Sequence, residues 1–269
     1  MLGAIIGDII GSRFEFNNHL STDFALFTKD CAFTDDTICT IAVADALLKG
    51  VSFQDSIHAW CKRYPHPKGG YGGRFVRWVH SENPHPYKSF GNGSAMRVSP
   101  CAWLSNDRRV ILANARKSAE CSHNHPEGIR GAMAVADAIY QASTGLSKEK
   151  IAQTISRQYG YNLHSTCDTI RRNNTFDETC QVTVPQAIVC LLESTSFEDA
   201  IRLAVSIGGD SDTIAAITGS IAEALYKGTP QKITTKALAY LPQEMKDVMH
   251  AYYRFIIKNY NQKKAIPAD

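Results

Sequence analysis

The sequence contains no run approaching the roughly 18 apolar residues of a membrane helix. Alternating apolar–polar segments, the mark of half-buried strands, are nearly absent. Eight cysteines are present, but none makes a CxxC pair or a short Cys/His cluster with zinc spacing. Most sit in apolar or small-residue runs (Cys39, Cys101, Cys190), which reads as reduced, buried thiols. Net charge is also lacking: 29 basic against 26 acidic residues leave +3. The basic residues are scattered, with short pairs at Arg108-Arg109, Arg171-Arg172 and Lys263-Lys264, so no nucleic-acid-binding stripe is implied. Neither GxxxxGK[ST] nor GxGxxG occurs, which removes the common nucleotide-binding loops. The opening MLGAIIGDIIG is apolar but short, carries Asp8 and has no basic region before it, unlike a secretory signal. A cytoplasmic protein is expected.

What remains is a 269-residue chain, 44% apolar and 20% charged, long enough to bury a sizeable core. No linker or repeat divides it, so one domain over 1–269 is expected. Helical periodicity runs nearly throughout. Leu2, Ile5, Ile6, Ile9 and Ile10 share one side of a first helix, and Gly3, Gly7 and Gly11 recur every four residues on another. Glycine weakens a helix by up to ~1 kcal/mol per residue, so a close helix–helix contact must offset it. Further helices are expected near 36–49, 53–63, 70–80, 107–121, 126–143, 147–158, 185–193, 197–206, 212–226, 232–239 and 243–260. Pro185 suits a first turn, and Gly50, Gly145, Gly160 and Gly228 suit helix ends. The polar stretch 161–180 is the longest non-periodic segment and reads as a long loop or a lid.

Chemistry concentrates in a few places. Thr34-Asp35-Asp36-Thr37 sets two adjacent carboxylates at a helix start. Capping accounts for one acid there, through the helix dipole; two adjacent acids repel unless a cation lies between them. Gly208-Gly209-Asp210-Ser211-Asp212-Thr213 repeats the theme before another small-residue helix. Facing each other, the two segments would offer four carboxylates and two hydroxyls. Such hard oxygen ligands suit magnesium, manganese or calcium rather than zinc. Two capped helices without metal is the plainer alternative. The loop Ser89-Phe90-Gly91-Asn92-Gly93 offers backbone N–H groups to an anion, or is simply a turn. His123 and His125, two residues apart, cannot share one helix face; they face a ligand, or belong to a polar loop capping the helix from Pro126. Glu15 stands between Phe14 and Phe16, where a lone acid is usually an ion-pair partner.

Taken together, GAIIGDIIGSRFEF, FTDDT, GNGSAMR and SIGGDSDTIAAITGSIAEAL resemble the ADP-ribosylglycohydrolase family, in order and over roughly residues 3–228. The segment DETCQVTVPQA is also similar to the family's stretch before its last motif. The resemblance implies an all-α, orthogonal multi-helix bundle and hydrolysis of the glycosidic bond between ADP-ribose and an acceptor. It implies two Mg2+ (or Mn2+) ions held by Thr34, Asp35, Asp36, Asp210, Asp212 and Thr213. Glu15 corresponds to a catalytic acid or base, with Asp35 or Asp36 also positioning substrate. Ser89, Phe90, Gly91, Asn92 and Gly93 correspond to the diphosphate loop, and His125, with His123, to a ligand-side motif. The implied partner is an ADP-ribosylated protein or other ADP-ribosylated target, with ADP-ribose as product. The stretch after Glu15, where the family can carry a flap that selects the linkage, is short here and leaves the acceptor open. A metal-dependent nucleotide phosphohydrolase, a non-catalytic ADP-ribose-binding module and a metal-free helical interaction protein are the rival readings.

Overall fold

The structure, a computed structural model, describes residues 1–264; the last five residues of the expected domain lie outside them. The helices are α1 (Leu2–Gly11), α2 (Asp35–Lys49), α3 (Phe53–Arg63), α4 (Gly73–His80), α5 (Gly93–Met96), α6 (Ser99–Trp103), α7 (Arg108–Glu120) and α8 (Pro126–Ser143). They continue with α9 (Lys148–Tyr159), α10 (Cys167–Asn173), α11 (Cys180–Glu193), α12 (Phe197–Ser206), α13 (Ser211–Leu225), α14 (Gln231–Leu238) and α15 (Gln243–Lys264). No strand occurs among the described residues, only isolated bridges at Thr34–Lys68 and Gly91–Thr179.

The centre is the crossing of α1 and α13, the pair with the most extensive contact. Both helices are buried nearly all round, as a helix apolar on every side must be. The glycine stripe is what lets them approach. A Cβ on Gly7 would stand 2.0 Å from the Ala215 carbonyl oxygen, and one on Gly3 2.1 Å from that of Gly219. At the start of α1, the Gly3 N–H donates to Glu223 Oε2 on α13 at 2.8 Å. Tyr253 of α15 donates to the other oxygen of Glu223 at 3.0 Å and accepts from the Leu2 N–H. The first residues of the helix are thereby capped from two neighbours. At the far end, Gly11 lies against Ser211 and Asp212. The crossing therefore carries the residues after α1 to the N-terminus of α13.

The other elements surround this pair. Thr34 caps α2 by accepting from the Asp36 N–H, and Gly50, at φ +68°, ends it. α8, α11 and α12 pack on α13, and α15 covers α2. Three expectations need correction. The helix expected from residue 70 begins at Gly73, because Gly69 and Gly70 both take left-handed φ (+77° and +86°) and turn the chain. Pro185 lies inside α11 rather than in its first turn. The carbonyl its missing N–H cannot satisfy belongs to the exposed Gln181, where solvent is available. The stretch 161–180 is not all loop: it contains α10, capped by Thr166, and its end is tied down rather than free.

Candidate active site

Asp8 organises the floor of the site from within α1. The residue is fully buried, and a buried carboxylate needs donors. It accepts from the Thr34 N–H (3.0 Å), Thr34 Oγ1 (2.8 Å), the Thr37 N–H (3.1 Å) and Thr37 Oγ1. Burial still pushes its carboxyl up to about 6, against the pull of those bonds. These contacts fix the start of α2, so that Asp35 and Asp36 face a cavity of about 450 Å³. Thr34 itself is occupied by Asp8 and the cap, and stands outside the cavity wall.

The start of α13 arrives at the same place. Gly208 and Gly209 take successive left-handed φ (+72° and +75°), a turn open to few residues but glycine. Asn18 clamps it: its amide donates to the Gly209 carbonyl at 2.8 Å and accepts from the Gly209 N–H at 2.9 Å. Asp210, Asp212 and Thr213 then line the cavity. Thr213 Oγ1 donates to Asp36 Oδ2 at 3.1 Å, so two motifs 177 positions apart touch directly. Oxygen atoms of Glu15, Asp210 and Asp212 lie within 4.8 Å of one another. Asp36 Oδ1 is buried and has no hydrogen-bond partner among the described residues.

The electrostatics point one way. Seven carboxylates line the cavity (Glu15, Asp35, Asp36, Asp177, Glu178, Asp210, Asp212) against two guanidinium groups, Arg74 and Arg97. The excess of five negative charges needs cations or protons. Burial, then the neighbouring carboxylates, hold Asp36 and Asp212 well above the usual carboxylate range, and burial, then Cys39 and the carboxylates, do the same to Asp35. Burial raises Asp210 to about 7, although the Asn92 amide donates to it at 2.6 Å. Half-buried Glu15 is pushed up to about 8 by burial and by Asp212, Asp8 and Glu178, with Lys68 opposing. An unpartnered buried carboxylate oxygen inside a converging set of hard oxygen donors fits a divalent cation. This buried acidic cluster could hold a metal.

The remaining wall is built from Ser89–Gly93, His123 and the 69–74 loop. The glycine loop is pinned to the end of 161–180: the Asn92 N–H donates to the Glu178 carbonyl at 2.7 Å, and the Cys180 N–H to that of Phe90 at 3.0 Å. The Gly91 N–H is taken by Ser89 Oγ at 3.2 Å. Two of the amides expected to meet an anion are thus already bonded, while the N–H groups of Gly93 and Ser94 make no hydrogen bond among the described residues. His123 is buried on the cavity wall, against Gly91 and Gly93. His125 is not brought there: its Nδ1 caps α8 by accepting from the Glu127 N–H at 3.1 Å, and its ring meets that of Phe90 edge-on at 5.3 Å.

The family model for ADP-ribosylglycohydrolase matches residues 1–262. The chain belongs to the ADP-ribosylglycohydrolase family. It is 27% identical to the ADP-ribosylhydrolase ARH3 of Danio rerio over 84% of this chain and 81% of that protein. It is 25% identical to the human ARH3, with 84% of both chains covered. The ADP-ribosylarginine hydrolase Tri1 of Pseudomonas putida is 25% identical over 84% of this chain and 69% of its own length. A solved structure described as an ADP-ribosylglycohydrolase-related protein complex superposes with a TM-score of 0.70 at 23% identity, covering 95% of this chain and 97% of that one, and supports the fold. The all-α glycohydrolase architecture expected from the motifs is the one observed, and the chain is a glycohydrolase enzyme. Among the residues that shape this site, Asp8, Asn18 and the Gly69–Arg74 loop were not singled out in the sequence. The run GGYGGR was there to be noticed, since four glycines around a tyrosine seldom open a helix.

Proposed function

We propose that this glycohydrolase cleaves the bond between the anomeric carbon of ADP-ribose and an acceptor, releasing ADP-ribose, with two Mg2+ or Mn2+ ions in the acidic cluster. The observation that carries the reading is the union of the two acidic motifs through Thr213 and Asp36, with Asp36 Oδ1 left without a partner. Asp35, Asp36, Asp210, Asp212 and Thr213 are the residues that would hold the ions, with Glu15 at their edge. Thr34 acts one step back, fastening α2 to Asp8. When bound, such ions supply Lewis-acid polarisation of oxygen atoms.

The chain's own residues do the rest. Glu15, at the edge of the cluster and lining the cavity, is the group that would move a proton to the leaving group or from the attacking water. Bond breaking at an anomeric carbon develops positive charge on the ribose, and the surrounding carboxylates favour that charge. The 89–93 loop, His123 and Arg74 bind the diphosphate, so that energy from the remote part of the ligand orients the reacting carbon. The cavity volume is of the size that buries a drug-sized ligand. We further propose a cytoplasmic location, a reading that the eight free cysteines support.

Relatives named as an ADP-ribosylarginine hydrolase and as ADP-ribosylhydrolase ARH3 match at similar identity, so similarity does not select the acceptor. The test is incubation with proteins ADP-ribosylated on arginine and on serine, with Mg2+, with Mn2+ and with a chelator, followed by chromatography of the products. Intact ADP-ribose, lost on chelation, is expected. Release of AMP or phosphate instead would make the protein a phosphohydrolase, and binding without turnover a recognition module.

A further inference from the structure

Arg97 is the largest fully buried side chain, and it has no carboxylate partner among the described residues. Its Nε and Nη1 make no hydrogen bond. Its Nη2 donates to the Ser118 carbonyl at 2.7 Å and to Ser122 Oγ at 2.8 Å. Ser122 is fully buried too, and its Oγ lies 2.8 Å from His123 Nδ1. Guanidinium groups only donate, so Ser122 Oγ accepts from Arg97. The serine proton then has two acceptors to choose from: His123 Nδ1 at 2.8 Å, or the thiol of Cys121 at 4.0 Å. The ring nitrogen is the nearer and the stronger acceptor. A neutral imidazole that accepts at Nδ1 carries its proton on Nε2. That atom lies 3.0 Å from where a Cβ on Gly93 would be and has no hydrogen-bond partner among the described residues.

We propose that Arg97 and Ser122 are positioning residues that act through His123. They fix its imidazole as the Nε2–H tautomer, so that one N–H on the cavity wall beside Gly93 meets a phosphate oxygen of the ligand. The geometry disfavours the opposite tautomer, which would leave the serine proton only the distant Cys121 thiol and turn a lone pair toward the anion. Burial, with the charges of Arg97 and Arg74, also keeps the ring neutral, so His123 donates a hydrogen bond and does not shuttle protons. This stretch of the wall then offers a donor, His123 Nε2–H, with the Arg97 guanidinium, which has no direct carboxylate partner, behind it. The choice of a phosphate oxygen rests on the ADP-ribose reading above; the tautomer does not.

The test has two arms. In the first, nitrogen-15 NMR of the histidine-labelled full chain, assigned with His123→Gln, reads the tautomer directly. Wild type is expected to show an unprotonated Nδ1 and a protonated Nε2. Ser122→Ala should mix the tautomers, and Ser122→Thr, which keeps the hydroxyl, should restore the wild-type spectrum. In the second arm, calorimetry measures the affinity for ADP-ribose and for adenosine. Ser122→Ala should weaken ADP-ribose about three- to tenfold, the range of one lost hydrogen bond, and leave adenosine unchanged; Ser122→Thr should recover it. A protonated Nδ1 in wild type, or a Ser122→Ala variant matching wild type in both tautomer and affinity, overturns the proposal. Equal weakening for adenosine overturns the phosphate contact. If wild type binds no ADP-ribose while Ser122 still sets the tautomer, the relay stands and the proposed function falls.

Discussion

Glu15 and the aspartates at the two helix starts define what single side chains contribute. Glu15→Gln keeps the size of the side chain but cannot exchange a proton. It is expected to lower kcat by about 10²–10⁴-fold with little change in KM, the range of a lost general acid or base. Steady-state kinetics on whichever substrate the wild type turns over will check it, and an unaltered kcat removes Glu15 from the chemistry. Asp212→Asn removes one charge from the cluster without changing its shape. Loss of several kcal/mol of transition-state stabilisation, at least about a hundredfold in rate, is expected. The same variant without metal should melt no lower than wild type at pH 8, because burial and Asp210 both oppose ionisation of the carboxyl that the amide replaces. Lower melting with retained activity would make Asp212 a structural residue. At this scale the sequence was most readable where oxygen ligands stood side by side: Asp35-Asp36 and Asp210-x-Asp212 converge as expected. It was least readable for Asp8, a single acid in an apolar helix. Its role appears only when four donors from Thr34 and Thr37 close around it, and nothing in helical periodicity brings that loop to that position.

At the scale of elements, the fold is governed by the α1–α13 crossing. Gly7→Ala would drive a methyl into the backbone of Ala215, not into a side chain that could rotate away. Overpacking of this kind costs about 1–3 kcal/mol, which for a chain of this size lowers Tm by roughly 2–4 °C per kcal/mol. It should also move Glu15 away from Asp212, so activity should fall more than stability does. Differential scanning calorimetry and kinetics on the same variant measure both; an unchanged Tm would mean the crossing is looser than its geometry. The glycine stripe announced this contact, since four-residue spacing of Gly3, Gly7 and Gly11 has little other use. The turn before α4 and the start of α11 were less legible. The first is set by the left-handed Gly69-Gly70 turn, and the second by a tertiary partner, the Phe90 carbonyl that accepts from the Cys180 N–H. The β-branched run in CQVTV reads as non-helical until that partner starts the helix.

For the molecule as a whole, the cluster ties stability to pH and to metal. Unfolded carboxyls titrate near 4, whereas Asp8 lies near 6, Asp210 near 7 and Glu15 near 8 in the metal-free fold. Between those limits the folded state binds more protons than the unfolded one. Stability without metal is therefore greatest below about pH 4 as far as these groups are concerned, and falls as pH rises through 6 to 8. Divalent cations replace the protons, so the rise in Tm on adding Mg2+ or Mn2+ should be small at pH 5 and large at pH 8. Thermal melts across that range, with metal and with chelator, decide it; a metal effect independent of pH would separate the ions from these carboxylates.

The mutual contact of Gly3 and Gly219 carries a consequence of another kind. Each backbone oxygen stands about where the other residue's methyl would go, at 2.1 and 2.2 Å. Exchanging bulk between the two sides therefore relieves nothing, and a second substitution cannot rescue the first. Drift at this spot is barred from the stepwise, compensated route open to most cores, and any larger residue on either helix would require the two axes to part.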